Sequence, residues 1–145
     1  MPFPSPRPLT PLTGDLVGAR VLVVDDESIW RDILAVDLRQ LGYEVVLAED
    51  AEEAATRAAE THPEVAIVDL MLPEPWDGEG LVRRLRDEGH DFPVVYFTAF
   101  PVELPPRPDD GLLGHVTKAA DRADLYELLP PALRRRRGAH FQEGG

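Results

Sequence analysis

The sequence contains no cysteine, so neither a disulfide framework nor thiolate chemistry is open to it, and a reducing compartment fits. Basic residues are few: 15 Lys and Arg stand against 27 Asp and Glu, for a formal net charge of −12. A balance this acidic argues against the electrostatic grip on phosphate backbones that nucleic-acid-binding domains need. No apolar run approaches the roughly 20 residues that cross a bilayer. Met1 opens onto prolines rather than a charged and then apolar leader, so no signal peptide is expected and the chain is read as cytoplasmic. What is present is 145 residues that are 43% hydrophobic, enough for one domain with its own core.

Proline dominates the first stretch. Pro2, Pro4, Pro6, Pro8 and Pro11 prevent regular hydrogen bonding, so residues 1–19 read as a proline-rich, extended and mobile N-terminal arm. Residues 138–145 read as a C-terminal tail, leaving a domain over 20–137. Within it, apolar runs alternate with segments of helical period. Val21, Leu22, Val23 and Val24 form a run suited to a strand buried on both faces. The apolar stripe Ile29, Trp30, Ile33, Leu34, Leu38 and Leu41 predicts a helix over 28–41, stopped by Gly42. Further strands are expected at 45–48, 65–68, 94–97 and 115–117, and helices over 51–61, 78–88 and 121–129. Pro130 and Pro131 either kink the last helix or end it and start another. Such alternation implies an α/β fold with parallel strands and right-handed crossovers. Between strands four and five the pattern breaks: prolines at 101, 105, 106 and 108 oppose a helix, so this connection is expected to be largely irregular.

Chemistry in an open parallel sheet sits at the carboxyl ends of the strands. Asp25 and Asp26 follow strand one, Asp69 ends strand three, Thr98 ends strand four and Lys118 follows strand five. Each alone fits a helix cap or a solvated loop; their joint placement is the informative observation. Lys118 is the only lysine in the chain, and an arginine would not substitute for its compact point charge.

The segments carrying Asp25-Asp26-Glu27, Asp69 with Pro73, Asp77-Gly78, Thr98-Ala99 and Lys118 resemble the receiver domain of bacterial two-component response regulators, over residues 20–135. The resemblance implies a doubly wound, flavodoxin-like five-stranded parallel sheet of order 2-1-3-4-5, which sets Asp26 and Asp69 on neighbouring strands about 4.8 Å apart. Two carboxylates about 4 Å apart repel by roughly 4 kcal/mol at an effective dielectric near 20. A hard cation relieves this, and an open oxygen site suits Mg²⁺. By the resemblance, Asp26 and Asp69 ligate Mg²⁺ directly, Asp25 acts mostly through bound water, and the backbone carbonyl of Met71 completes the protein's share. Asp69 is then the phosphoacceptor, Lys118 pairs with the phosphoryl group, and Thr98 donates its hydroxyl to it and acts as a switch.

The sequence departs from the family in four places. Ala119 stands where a proline usually follows the lysine through a cis bond; before alanine that bond costs about 2.5 to 4 kcal/mol, so trans is expected. His115 occupies the place of the family's rotating aromatic and is read as a second switch residue. The loop Pro73-Glu74-Pro75-Trp76-Asp77-Gly78 is one residue longer than usual, with Trp76 expected to pack on the third helix. The family's fourth helix, in the proline-rich connection, is expected to be short or absent. Arg134 to Arg137 is read as a helix-end run favoured by the helix dipole, and the four histidines lack metal-ligand spacing.

The functional expectation is a stand-alone phosphorylatable switch that catalyses its own phosphorylation, meets a histidine kinase or histidine phosphotransfer protein, and contacts an output protein. At 145 residues no DNA-binding output domain is expected beside the receiver. The alternative is a pseudo-receiver acting as a constitutive, phosphorylation-independent interaction module, which Ala119, His115 and the proline-rich connection favour. Flavin binding is disfavoured because Asp25-Asp26-Glu27 would repel a flavin phosphate, and an aspartyl hydrolase would carry its nucleophile after strand one.

Overall fold

The computed structural model describes residues 7–99, 107 and 111–143, with side chains described through 138. The apolar runs form five strands: β1 (Arg20–Val24), β2 (Glu44–Ala48), β3 (Val65–Val68), β4 (Val94–Thr98) and β5 (Leu112–Thr117). All pair in parallel in the order β2-β1-β3-β4-β5, the doubly wound, flavodoxin-like arrangement expected. The helices are α1 (Ser28–Leu41), α2 (Ala51–Thr61), α3 (Gly78–Asp87), the short α4 (Arg122–Tyr126) and α5 (Leu129–Glu143).

Continuous apolar strands are needed because both sheet faces are covered. Val21, Val23, Ile67, Val95 and Phe97 face α1 and α5, where Leu34, Leu38, Leu129 and Leu133 complete one core. The intervening Leu22, Val24, Ala66, Val68, Val94 and Tyr96 face α2 and α3, against Ala54, Ala58, Leu81 and Leu85. Side chains alternate across each strand, so one run feeds both layers. Burial pushes the Tyr96 hydroxyl up to about 12. Three helix starts are set by aspartates: Asp50, Asp77 and Asp121 accept from the backbone N–H of Glu53, Gly80 and Ala123 at α2, α3 and α4. Gly42 ends α1 at φ 104°, a conformation that costs glycine little.

The N-terminal segment departs from the extended arm expected. Residues 14–16 form a 3₁₀ turn, and Leu12 and Leu16 enter the α1/α5 core, Leu16 being only 3% exposed. Leu12 N–H donates to Leu41 O and Gly18 N–H to Gly42 O, both at 2.7 Å. Arg7 donates its backbone N–H to Asp121 Oδ2 at 3.0 Å, and its guanidinium pairs with Asp124 and Glu127. The prolines forbid helix, but the leucines spaced among them bury apolar surface. That burial holds residues 7–19 on the domain.

The C-terminal segment departs as well. α5 runs through Gly138 to Glu143, so residues 138–143 extend a helix rather than forming a tail. One exposed glycine costs only about 1 kcal/mol of helix propensity. Pro130 and Pro131 occupy the first turn of α5, where a missing N–H is harmless, so α4 ends and α5 begins anew. The arginine run is mid-helix rather than at a helix end. Arg136 pairs with Asp91 at 2.8 Å, and Arg137 grips both Glu64 oxygens at 2.8 and 2.9 Å. That grip outweighs burial and holds the Glu64 carboxyl below the usual range. Asp37 of α1 accepts from Arg122 Nε at 2.7 Å and from the Tyr126 hydroxyl at 2.5 Å, clamping α4 to α1.

Most of the proline-rich connection, 100–106 and 108–110, lies outside the described residues. Arg107 is described, and it exchanges backbone hydrogen bonds of 2.9 and 3.0 Å with Leu112 in an antiparallel bridge. That pairing is extended rather than helical. β5 accordingly begins at Leu112, earlier than the 115–117 expected.

If residues 7–19 are part of the core, Leu16→Ala should lower unfolding free energy by about 2–4 kcal/mol, measured by urea denaturation. An unchanged midpoint would show that the segment adds nothing to the fold.

Candidate functional site

The ladder hydrogen bonds run past the strand ends and fix the first polar residues there. Asp25 N–H donates to Ala48 O at 3.1 Å, Asp69 N–H to Val24 O at 2.9 Å, and Lys118 N–H to Thr98 O at 2.7 Å. Among the described residues, the buried polar and charged ones are Asp25, Asp69 and Thr98, at 2%, 3% and 0% exposure. All three are residues that the sequence places in the site. The polypeptide after β3 returns so close to its own backbone that a Cβ on Gly78 would stand 2.4 Å from Asp69 O. Only glycine fits there, and this close approach seats the start of α3 directly behind Asp69.

Lys118 reaches back over the strand ends. Its Nζ lies 2.8 Å from Asp25 Oδ2 and 3.0 Å from Asp69 Oδ2, with Glu27 Oε1 at 3.7 Å, and its side chain is 5% exposed. The other carboxylate oxygens are held by backbone: Asp25 Oδ1 accepts from Glu27 N–H at 2.9 Å and Asp69 Oδ1 from Met71 N–H at 3.0 Å. Burial, assisted by the Asp25 charge, raises the Asp69 carboxyl above the usual range, against the pull of Met71 N–H and Lys118. Burial disfavours the Lys118 ammonium, but its hydrogen bonds to Asp25 and Asp69 outweigh this and raise its pKa. The lysine is therefore charged at neutral pH.

Asp25, Asp26, Glu27 and Asp69 each bring a carboxylate oxygen to within 4.8 Å of the others. One ammonium does not balance four carboxylates. The donor set is all hard oxygen, partly buried and partly open at Asp26 and Glu27, which fits a divalent ion such as Mg²⁺. The structure brings together Asp25, Asp26, Asp69 and Lys118, with Thr98 bonded through its backbone to the lysine. Met71 has an exposed side chain and touches Asp69 through its N–H. His115 lies on β5 in register with Tyr96 and is not among the clustered carboxylates. The Lys118–Ala119 bond is trans, as expected.

Three neighbours escape a reading of strand ends alone. Glu27 joins the acidic cluster; its contiguity with Asp25-Asp26 is the available signal. Arg31, one turn into α1, donates to Asp25 O at 2.7 Å and lies 3.7 Å from Glu49. Trp30 is half-buried with its ring 5.4 Å from Lys118 Nζ. Helical periodicity assigns it to the core, and nothing in the sequence separates the two roles. Trp76 stands against α3 as expected, where a Cβ on Gly80 would meet its ring at 3.2 Å. It also borders, with Asp26, Glu49 and Glu74, a cleft of about 420 Å³.

Residues 21–129 match the family model described as "Response regulator receiver domain". Over 80 residues, 55% of this chain, the sequence is 46% identical to the virulence transcriptional regulatory protein PhoP of Salmonella typhimurium (strain LT2) and 41% identical to the two-component response regulator PhoP of Pseudomonas aeruginosa. That stretch covers 35% of each relative's length. A response regulator receiver domain protein (CheY-like) of Methanospirillum hungatei superposes with a TM-score of 0.73 at 21% identity, over 84% of this chain and 98% of that one. A CheX-CheY-BeF3-Mg²⁺ complex of Borrelia burgdorferi superposes with 0.68 at 21% identity, over 77% and 86%. At that identity the two structures speak for the fold. The family model spans three quarters of the sequence, and its match takes in every acid and the lysine of the site: the chain belongs to the response regulator receiver domain family of two-component systems.

Proposed function

We propose that this chain is the phosphoacceptor switch of a two-component phosphorelay. It takes a phosphoryl group on Asp69 from a histidine kinase or a histidine phosphotransfer protein, in a Mg²⁺-dependent transfer, and signals onward by protein–protein contact. The observation that carries this reading is the sole lysine's ammonium, 3.0 Å from the Asp69 carboxylate and enclosed with it among acids. A pseudo-receiver would be favoured by a lysine directed away from Asp69, and the distance speaks for the switch. Among the described residues no helix is long and apolar enough to cross a membrane, which accords with cytoplasmic work.

In the transfer, an Asp69 oxygen attacks phosphorus, the bond from phosphorus to the donor nitrogen breaks, and an acyl phosphate forms. Met71 N–H holds one Asp69 oxygen and orients the carboxylate for attack. Burial raises the free energy of the charged carboxylate, which favours its conversion to the anhydride. Lys118 retains Asp25 at 2.8 Å while turning toward the phosphoryl oxygens, so its charge is not stranded. Thr98 supplies a hydroxyl from the end of β4, and its movement, with that of His115 on β5, transmits the change. Asp25, Asp26, Asp69 and the Met71 carbonyl are the proposed Mg²⁺ ligands; when bound, the ion offsets charge on the carboxylates and on the phosphoryl oxygens.

With Mg²⁺ and acetyl phosphate, intact mass should show one added phosphoryl group, absent in Asp69→Asn and absent when EDTA removes the metal. A wild-type chain that takes no phosphoryl group from acetyl phosphate, phosphoramidate or a kinase would overturn the switch in favour of the pseudo-receiver.

The raised Asp69 pKa has a sign. Its stabilising contribution is complete below the unfolded carboxyl value and is lost as pH rises through the folded one. At pH 7 without metal, Asp69→Asn should therefore melt at a higher temperature than wild type. The gap should close as the pH falls through the carboxyl range, followed by thermal denaturation across pH. A variant that melts lower at pH 7 would contradict the electrostatic account.

A further inference from the structure

The Lys118 ammonium has a fourth neighbour besides its three carboxylates. Trp30, in the first turn of α1, presents its ring 5.4 Å from Nζ. The same ring meets Phe97 edge-on, with centroids 5.2 Å apart and planes at 85°. Phe97 is 1% exposed and immediately precedes Thr98. One indole thus touches both the site cation and the strand end that carries the hydroxyl.

A cation within about 6 Å of an indole is attracted by the ring's quadrupole, most strongly when water is excluded. The Lys118 side chain is nearly enclosed, so that condition holds. The loop bearing the lysine gains from an outside wall. Ala119 and Ala120 add no ring constraint, and the loop's backbone is fixed through Lys118 N–H to Thr98 O and Ala120 N–H to Thr117 O. The carboxylates hold the ammonium with directional hydrogen bonds that the transfer must rearrange. A π face imposes no single geometry, so the ammonium can move from the Asp69 oxygen to a phosphoryl oxygen without leaving the ring.

We propose that Trp30 is a positioning residue for Lys118: its ring keeps the ammonium on a track over Asp69 and, through Phe97, ties that placement to Thr98. This deepens the phosphoacceptor reading and rests on it for the transfer step.

Two measurements test it. In a Trp76→Phe background the only indole is Trp30, and without metal or phosphodonor Lys118→Met should change its emission intensity or maximum, because the cation over the ring is removed. Unchanged emission would overturn the contact. Separately, acetyl phosphate labelling with Mg²⁺ should be about three- to tenfold slower in Trp30→Leu, which keeps apolar bulk and loses the ring, and should return to within about twofold of wild type in Trp30→Phe. Equal slowing by Leu and Phe, or none by either, would reduce Trp30 to core packing and overturn the proposal. If Trp30→Leu does not melt cooperatively, the Phe variant and the emission measurement decide. A wild-type chain that takes no label defeats the phosphoacceptor reading, whereas the emission result depends on Trp30 and Lys118 alone.

Discussion

The ammonium of Lys118, set between the buried carboxylates of Asp25 and Asp69, is the interaction on which the site depends. Removing two carboxylates from water is expensive unless a counter-charge accompanies them. Here the cation comes from β5, the acids from β1 and β3, and the packing of the sheet fixes the distance between them. The doubly wound order makes this economical: strands one and three are neighbours, and β5 reaches the pair across the end of β4. The same charges that strain the fold equip it for chemistry. Four acids against one lysine leave a surplus that a divalent ion can neutralise, and in the proposed transfer the burial that disfavours the Asp69 anion favours its conversion to the anhydride.

Most of the fold was legible because its central strands β1, β3 and β4 are buried on both faces. Runs such as Val21 to Val24 have no polar alternative, and the helices between them carry caps and stops that name their own ends. The acids and the lysine were legible because parallel sheets gather their loop chemistry at one edge, and because a lone lysine is conspicuous. What escaped notice was decided by tertiary packing. Prolines at the N-terminus signal extended chain, but they conceal the leucines that bind residues 7–19 to the core. Gly138 reads as a stop, yet a single weak residue does not end a helix whose arginines are anchored to Glu64 and Asp91. Trp30 was legible as apolar and helical. Its contact with a cation on another strand is visible only once β5 and α1 have been folded together.

Three of the four departures from the family pattern fall in the sequence around β5. Ala119 follows the lysine, His115 precedes it, and the proline-rich connection leads into β5, whose first residue pairs back with Arg107. The residues proposed for phosphoryl transfer are present, while the sequence that flanks Lys118 differs from the family pattern. The N-terminal segment reaches the same region: Arg7 is bonded to Asp121, three residues beyond Lys118, so a stretch outside the family match touches the chain that follows the lysine.

The scarcity of lysine has a practical side. The only ε-amine in the sequence is charged, ion-paired and enclosed. Reagents and enzymes that seek primary amines, whether cross-linkers, acyl donors or conjugating ligases, therefore meet a side-chain surface furnished with arginine, and a lysine adduct could form only by entering the acidic cluster itself.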